Sequence, residues 1–401
     1  MLTPLDVSQE TRTLGSLGGR LRVTGWVLTA VGAVAAAVLG LTAGDGGRSF
    51  FFAYLLNYAF VLSLALGALF FVMVQHLAHA GWSVVVRRLA EGIAQTIPLL
   101  AVLFVPLLVG LPKLYLWTAP GAAAGDPVLA GKAAYLNVPF FVVRWVVYLG
   151  VWVWLARFFF RRSVAQDGSG DAMLSVAMQR RSALGMVLFA FTLTFASFDL
   201  LMSLQPDWYS TIFGVYYFSG AVVGALALLP IAVFVLQRRG IMTRAVTPEH
   251  AHDIGKLLFA FIVFWAYIAF SQYMLIWYGN IPEETSFFLR RQVGGWGWVG
   301  LLLVFGHFLV PFVALLSRAP KRRIPVLAGV ASWVLVMHWV DVYWLVAPRA
   351  STSLALPLVD LAVLVALAGA FLVRVTAVLE GVSLIAERDP RLGESLTFEN
   401  A

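Results

Sequence analysis

Ten long apolar stretches occupy most of this 401-residue sequence, and each is long enough to cross a membrane as an α-helix. A helix needs about 20 apolar residues to span a hydrocarbon core of about 30 Å. A membrane β-strand needs only about 10 residues of alternating polarity, whereas these stretches are apolar on every side. The sequence therefore predicts an all-α integral membrane protein with ten transmembrane helices. The approximate spans are 23–43, 50–76, 92–112, 134–160, 182–204, 211–237, 254–278, 295–317, 324–347 and 355–379.

The composition excludes a soluble protein. Hydrophobic residues make up 61% of the chain and charged residues only 12%, about half of the ~25% usual in soluble domains. So few polar side chains cannot cover this much apolar surface in water. The net charge of +8 therefore does not indicate nucleic acid binding. The absence of cysteine excludes cysteine-held iron–sulfur clusters, c-type haem attachment and disulfides.

Lysine and arginine are distributed unevenly between the two sets of loops. One set, which includes both termini, carries 19 of them, and the other carries six. Because cytoplasmic loops are enriched in basic residues, both termini are predicted to be cytoplasmic. The predicted organisation is a tail over 1–22, a membrane domain over 23–380 and a second tail over 381–401. The longest loops have only about 20 residues, too few for a soluble domain.

Two spans end with the same pattern, an aspartate followed by a proline seven positions later. The pairs are Asp199 with Pro206 in span 5 and Asp341 with Pro348 in span 9. Matching features in spans four apart are typical of internal repeats, which often hold functional sites. We therefore predict two four-helix bundles, spans 2–5 and spans 6–9, flanked by spans 1 and 10. The first span and first bundle cover 23–204, the second bundle covers 211–347 and the last span covers 355–379.

Five ionisable residues are predicted at a similar depth in the outer halves of the spans. A charge in mid-bilayer costs at least about 2.5–3.5 kcal/mol, so each needs a partner or a function. Arg144 in span 4 and Asp199 in span 5 can meet, either as a structural ion pair or as a proton-transfer or quinone-contacting pair. His338 and Asp341 share one face of span 9, at the depth of His307 in span 8. For these three residues we predict proton transfer, with interhelical hydrogen bonding as the alternative.

A haem held between His307 and His338 is a further alternative, since the two histidines lie at one depth. Electron transfer across the membrane would need a second haem at another depth, and the remaining histidines are poorly placed to hold it. We therefore expect no haem, no metal site and no covalently bound cofactor. The sequence also contains no nucleotide-binding loop, no G-x-S-x-G and no H-E-x-x-H, so no catalytic residue is predicted.

A second group of titratable residues lies where span 7 begins, on the predicted cytoplasmic side. Thr247 and Pro248 have the residue types of a helix cap and a first helical position. Acidic residues also suit the positive end of the helix dipole. Helix capping thus explains part of the group, and cytoplasmic proton uptake is the functional prediction for it. The residues are Glu249, His252, Asp253 and Lys256.

Four stretches of the sequence resemble the F subunit of alternative complex III, a bacterial quinol:cytochrome c oxidoreductase. The resemblance is strong over roughly 194–348, and elsewhere it rests on span count and length. The stretches are TFASFDLLMSLQPDWYSTIFGVYYFSG (194–220), EHAHDIGKLLFAFIVFWAYIAFSQYMLIWYGNIPEET (249–285), LLVFGHFLVPFVALLSR (302–318) and MHWVDVYWLVAP (337–348).

The resemblance implies a ten-span subunit similar to the polysulfide reductase membrane subunit (NrfD-like), built as two four-helix bundles. It also implies a place in a bacterial cytoplasmic membrane, in a respiratory chain that oxidises quinol. The implied partners are a sister NrfD-like membrane subunit, an iron–sulfur subunit, a multihaem cytochrome c subunit and membrane lipids. In that family this subunit is associated with a proton path and, by its name, with quinone. Gln272 and Tyr273, polar residues in the outer half of span 7, are predicted quinone contacts.

A secondary transporter with a proton-coupled site in mid-membrane is the alternative function. Ten spans, an internal repeat and buried charges all permit it. Transporters of this kind often have a pair of broken helices at matching positions in the two halves. Span 3 contains Pro98, Pro106 and Pro112, but its counterpart, span 7, has no interior proline. The sequence therefore favours the respiratory subunit.

Overall fold

The computed structural model describes residues 10–400, and all regular secondary structure in that range is helical. A π-helical segment, Leu303–Leu309, joins α12 to α13. The helices are α1 (Ser16–Thr42), α2 (Arg48–Leu77), α3 (Val84–Ala94), α4 (Ile97–Val102), α5 (Val105–Leu114), α6 (Pro127–Lys132), α7 (Val138–Ser169), α8 (Ala172–Leu200), α9 (Phe213–Gln237), α10 (Pro248–Gly279), α11 (Pro282–Arg290), α12 (Trp296–Leu302), α13 (Val310–Leu316), α14 (Arg318–Lys321), α15 (Ile324–Ala350), α16 (Leu358–Leu379) and α17 (Leu392–Leu396).

The chain is a multi-pass membrane protein. Within residues 10–400, nine helices are long and apolar enough to cross a membrane, or ten if a pair of helices with a 60° bend counts as one span. The predicted spans overlap these helices, and several of the helices extend beyond their spans. Residues 161–181, predicted as a loop, are helical except near Gly170, because α7 and α8 continue beyond their apolar sections. Hydropathy marks only the apolar section of a helix, and polar residues continue a helix in water without difficulty.

The bent pair lies at the position of predicted span 3, and its prolines explain the bend. Pro106 has no N–H group to donate to the preceding turn, so α4 ends at Val102 and α5 starts a new direction. The carbonyl groups exposed at the break accept hydrogen bonds from α2. Tyr54 donates to the oxygen of Leu103 at 2.7 Å, and Tyr58 donates to that of Leu100 at 3.0 Å. The break is therefore compensated by a neighbouring helix.

Helices α2 and α9 form the centre of the molecule. Helix α2 packs against α3, α8, α9, α15 and α16, and α9 packs also against α8, α10 and α15. The two central helices are very close at Gly67, where a Cβ atom would lie 2.0 Å from the oxygen of Ala221. Small residues permit such approaches between membrane helices, where dispersion contacts drive association. Helices α1 and α16 pack mainly on each other at one flank.

Both ends of the described chain lie on one face, which we call the terminal face. The backbone N–H of Leu384 donates to the oxygen of Arg12 at 2.7 Å, and the Ser395 hydroxyl donates to the oxygen of Trp82 at 2.7 Å. The opposite side is the distal face. There the N–H of Leu354 donates to the oxygen of Gly294 at 2.7 Å.

Candidate functional site

The carboxyl group of Asp341 lies at the centre of a buried polar cluster in the distal half of the molecule. The side chain projects from α15 and is only 2% exposed. Its Oδ1 accepts a hydrogen bond from the hydroxyl of Tyr216 on α9, and its Oδ2 accepts one from Nε1 of Trp265 on α10 at 3.1 Å. Both donors are uncharged. Among the described residues, no lysine or arginine forms an ion pair with Asp341. This carboxyl is therefore held without a counter-charge.

Two histidines adjoin this aspartate. His338 bonds through Nε2 to the hydroxyl of Ser63 on α2 at 2.8 Å, and its ring centroid is 6.4 Å from that of His307. Trp265 stacks on the His307 ring with centroids 4.1 Å apart. Nδ1 of His338 and both ring nitrogens of His307 are buried without a hydrogen-bond partner among the described residues. Unsatisfied buried nitrogens of this kind point to water or to a function in proton transfer. We call this group the Asp341 cluster: Ser63, Tyr216, Trp265, His307, His338 and Asp341.

The backbone around His307 is π-helical, and a proline leaves one of its carbonyl groups without a backbone donor. In a π-helix the oxygen of Gly306 faces the nitrogen of Pro311, which carries no hydrogen. Nε1 of Trp333, from α15, donates to that oxygen at 2.7 Å instead. Short π-helical segments occur frequently at functional sites, since the wider turn changes the direction in which side chains project. Here the side chain inside the segment that faces the cluster is His307.

A cavity of about 720 Å³ adjoins the Asp341 cluster. Helices α9, α10, α12 and α15 and the π-helical segment provide its walls, and α11 lies across its distal end. Tyr216 and Trp265, the two donors to Asp341, line it, as do the predicted residues Gln272 and Tyr273. The rim residues Tyr267, Phe270 and Val304 are more than half exposed on membrane-spanning elements. The cavity is therefore open on a side formed by membrane-spanning helices.

Arg291 fixes the distal end of the cavity. Its Nε donates to the oxygen of Trp344 at 3.0 Å, and its NH2 group donates to that of Leu345 at 2.8 Å. The oxygen of Trp344 needs an outside donor because Pro348, four residues later in α15, has no N–H group. The guanidinium also lies over the ring of Phe287 at 3.4 Å. Arg291 thus ties α11 to α15 and is a structural cation.

Arg144 and Asp199 form the predicted ion pair. Two parallel hydrogen bonds of 2.8 Å join the guanidinium to both oxygens of Asp199, which is fully buried. The hydroxyl of Tyr148 donates to Asp199 at 3.1 Å, and Arg144 also donates to the oxygen of Tyr135 at 2.9 Å. A bidentate pair with these additional bonds satisfies both charges. Asp199 and Asp341, which stand at the same distance before a proline, thus have opposite electrostatic surroundings.

The predicted group at the start of α10 lies at the terminal face, apart from the Asp341 cluster. Glu249 is paired with Arg322 through both oxygens, and Asp253 is paired with Lys256 at 2.5 Å. His252 is 8% exposed. Twelve residues separate Asp253 from Trp265 along α10, or about 18 Å at 1.5 Å per residue. The structure thus brings His307, His338 and Asp341 together but leaves this group separate.

The polar partners of the cluster were not predicted from the sequence. Tyr216 and Trp265 were indistinguishable from other aromatic residues in apolar spans. Ser63 had a recognisable feature, since it is a polar residue inside the apolar second span. Asn57 in the same span has this feature too, and its Oδ1 accepts a hydrogen bond from Nε1 of Trp339 at 2.8 Å.

A buried charge network at the terminal face was also missed. Arg87 and Arg88 were assigned to a loop in water, but α3 carries them into the interior. Arg88 pairs with Glu91 at 3.1 Å and with Asp167 at 2.8 Å, and Arg87 pairs with Asp389 at 2.5 Å. The C-terminal segment supplies Asp389, and a partner this distant in sequence cannot be read from hydropathy.

A scan of the chain against protein-family models matches none of them, and a search of the curated proteins finds no match.

Proposed function

We propose that this chain is a membrane subunit of a respiratory quinol:acceptor oxidoreductase of the alternative complex III type. The observation that carries the proposal is a buried carboxyl without a counter-charge, Asp341, beside a cavity that opens to the membrane. A quinol is a membrane-soluble molecule that releases protons on oxidation, and this site offers it both access and a proton acceptor. Every member of the Asp341 cluster except Ser63 lies in the four stretches that carry the resemblance.

The proposed arrangement has ten crossings, with the bent pair α3–α5 as the third. Helices α2–α8 and α9–α15 would form two four-helix bundles, joined through α2 and α9 and flanked by α1 and α16. The packing of α7 on α8, of α10 on α9 and of α15 on α9 supports this division. Both termini would be cytoplasmic in a bacterial cytoplasmic membrane, since the terminal face carries the larger share of basic residues.

Asp341 is the proposed proton acceptor, with His338 and His307 as neighbours that pass the proton on through water. Asp199 has a structural role in this proposal, because its pair with Arg144 already satisfies its charge. Proton acceptors in enzymes need a charge state that changes easily. A neutral donor set leaves Asp341 free to change its charge state, whereas a bidentate arginine keeps a carboxyl ionised.

The cavity is the proposed contact with the quinone headgroup. Gln272 and Tyr273 offer hydrogen bonds on its wall, and its aromatic residues suit a planar ring. At the terminal face, Glu249, His252, Asp253 and Lys256 are the proposed cytoplasmic proton-uptake group. This second role is separate from the first, because about 18 Å of α10 lies between the two groups.

This proposal includes no haem between His307 and His338. Nε2 of His338 is bonded to Ser63, and Trp265 covers one face of the His307 ring, which supports this expectation. In this proposal the subunit holds no redox centre. Electrons would move on partner chains: an iron–sulfur subunit and a multihaem cytochrome c subunit, beside a sister NrfD-like membrane subunit.

Mass spectrometry of chains that co-purify with a tagged copy, extracted in a mild detergent, tests the proposal. We expect a multihaem cytochrome and an iron–sulfur protein in stoichiometric amounts. An unrelated ten-span protein with the same tag serves as the control. Proteins that co-purify with both tagged chains are adventitious. Recovery of this chain alone, stable and monodisperse, would contradict the proposal.

A secondary transporter is the second candidate, and the 60° bend in span 3 is the observation that favours it. Broken helices often form substrate sites at the middle of transporters. Here the exposed carbonyl groups at the bend are already bonded to Tyr54 and Tyr58, and the counterpart helix α10 runs unbroken from Pro248 to Gly279. Proton movement driven by a solute gradient in liposomes with the purified chain alone would support the transporter instead.

A further inference from the structure

Two side chains separate the cavity from Asp341. Tyr216 and Trp265 each line the cavity on one side and donate a hydrogen bond to the carboxyl of Asp341 on the other. The carboxyl itself is not among the groups that line the cavity. A proton that passes from the cavity to Asp341 by the shortest way therefore crosses this two-residue wall.

We propose that Tyr216 is the residue through which Asp341 exchanges protons with the cavity, and that Trp265 is a positioning residue. This inference rests on the proton-accepting role proposed above for Asp341, and it assigns the route. The proton donor in the cavity is the hydroxyl of a membrane-soluble molecule, the quinol of the proposed function.

The chemistry of the two donors distinguishes their roles. A tyrosine hydroxyl both donates and accepts hydrogen bonds, whereas an indole N–H only donates. A proton from a hydroxyl in the cavity forms a new O–H bond on the Tyr216 oxygen. At the same time the original Tyr216 O–H bond breaks and its proton bonds to Oδ1 of Asp341. The phenol ends as it began, the carboxylate becomes a carboxylic acid, and the donor is left as the anion. Trp265 has no lone pair to take part in such a step.

The alternative route, along α10 from the terminal face, is poorly supplied with polar groups. The charged residue of α10 that lies nearest to Trp265 in sequence is Lys256, nine residues or about 14 Å away along the helix. The buried positions between them are Leu258 and Ile262. Apolar side chains at these positions offer no donor or acceptor for a proton.

The test follows hydrogen–deuterium exchange of the Asp341 carboxyl by infrared spectroscopy, on the full chain in lipid nanodiscs. A protonated carboxyl has its own C=O stretching band, which shifts when deuterium replaces hydrogen, and the variant Asp341→Asn identifies that band by its loss. In Tyr216→Phe, which removes only the hydroxyl, we expect exchange to slow by roughly 100-fold, as on removal of a proton-transfer group. In Trp265→Phe, we expect a near-normal rate with a shifted band frequency, because one hydrogen bond to the carboxyl is lost.

A variant that leaves both residues unchanged tests the route independently. Ala269 lines the cavity at a half-buried position, so Ala269→Phe narrows the cavity while Tyr216 and Asp341 keep their own side chains. We expect slower exchange in this variant as well. Normal exchange in Tyr216→Phe, normal exchange in Ala269→Phe, or equal slowing in Trp265→Phe would overturn the assignment. So would the lack of an Asp341 carboxyl band at every pH at which the chain is folded.

The exchange experiment needs no partner chain. A failure of co-purification would contradict the oxidoreductase proposal and leave the exchange result interpretable. If exchange is slow in Tyr216→Phe but no cytochrome co-purifies, the proton route through Tyr216 stands. The route would then serve an activity other than quinol oxidation.

Discussion

At the scale of residues, two aspartates with the same relation to a following proline have different chemistry. Asp199 is neutralised by a bidentate arginine, and Asp341 is held by a phenol and an indole. The sequence predicted that Arg144 and Asp199 can meet, and they form a bidentate pair. It could not identify the donors to Asp341, because tyrosine and tryptophan in apolar spans are common and most of them serve packing or the membrane interface.

Removing the cation of the buried pair should destabilise the protein strongly. In Arg144→Met, the carboxylate of Asp199 remains buried without its partner, which typically costs about 3–5 kcal/mol. Thermal unfolding in detergent should show a large decrease in the midpoint. The double variant Arg144→Met with Asp199→Asn should regain most of the stability that Arg144→Met loses, since no unpaired charge remains. Equal destabilisation in both variants would show that the pair contributes through packing rather than charge.

An apolar carbodiimide should distinguish the two aspartates chemically. Such a reagent takes the proton of a carboxylic acid and adds the carboxylate to its central carbon, and rearrangement gives a stable N-acylurea with no leaving group. Only Tyr216 and Trp265 separate Asp341 from a cavity that opens between membrane-spanning helices, whereas both oxygens of Asp199 are bonded to Arg144. Peptide mass spectrometry after treatment with dicyclohexylcarbodiimide should therefore find the adduct on Asp341 and none on Asp199. Modification of Asp199 alone would show that the pair with Arg144 does not protect its carboxyl group.

At the scale of elements, prolines break the regular hydrogen bonding of three helical segments, and side chains from other elements compensate. Tyrosines of α2 donate to the break in span 3, Trp333 donates to Gly306, and Arg291 donates to Trp344. The positions of the prolines are visible in the sequence, and a break can be predicted from them. The donors are not visible, because they depend on which helices become neighbours.

The contact between α2 and α9 gives a prediction at this scale. A Cβ atom on Gly67 would lie 2.0 Å from a backbone oxygen of α9, so Gly67→Ala must push the central helices apart. We expect destabilisation on the order of 1–3 kcal/mol, typical of overpacking. Gly150→Ala in α7 is the matched control, since a Cβ there meets nothing within 4 Å, and alanine favours the helix by up to about 1 kcal/mol. Thermal unfolding is measured for both variants. Equal shifts of the unfolding midpoint would refute the close contact between α2 and α9.

At the scale of the whole molecule, the terminal face is closed by chain segments far apart in sequence. The C-terminal segment provides Asp389 to Arg87, the oxygen of Ser383 to Arg88, and Asn400 to Glu249 and Lys256. The backbone of Thr243 donates to Glu10 at 2.6 Å. The described parts of the two predicted tails and of several predicted loops are therefore joined by hydrogen bonds and ion pairs in one layer.

The absence of cysteine makes the predicted orientation easy to test. Ser169 at the junction of α7 and α8, on the terminal side, and Ala124 on the distal side are both exposed. Each can be replaced by a single cysteine in a chain that has no other. In intact cells, a membrane-impermeant maleimide should label Ala124→Cys, and it should label Ser169→Cys only after the membrane is opened. Labelling of Ser169→Cys in intact cells would show that the chain has the opposite orientation in the membrane.

The sequence by itself determined that this is a helical membrane protein, where its long helices lie, and that Arg144, Asp199, His307, His338 and Asp341 are buried. Those properties depend on the transfer of side chains and backbone from water to hydrocarbon, which composition and length control locally. Only the tertiary structure decided that α3 carries two arginines into the interior, that Asp341 is bonded to Tyr216 and Trp265, and that a cavity lies behind them. These features depend on contacts between helices distant in sequence, and apolar periodicity contains no information on which faces meet when every face is apolar.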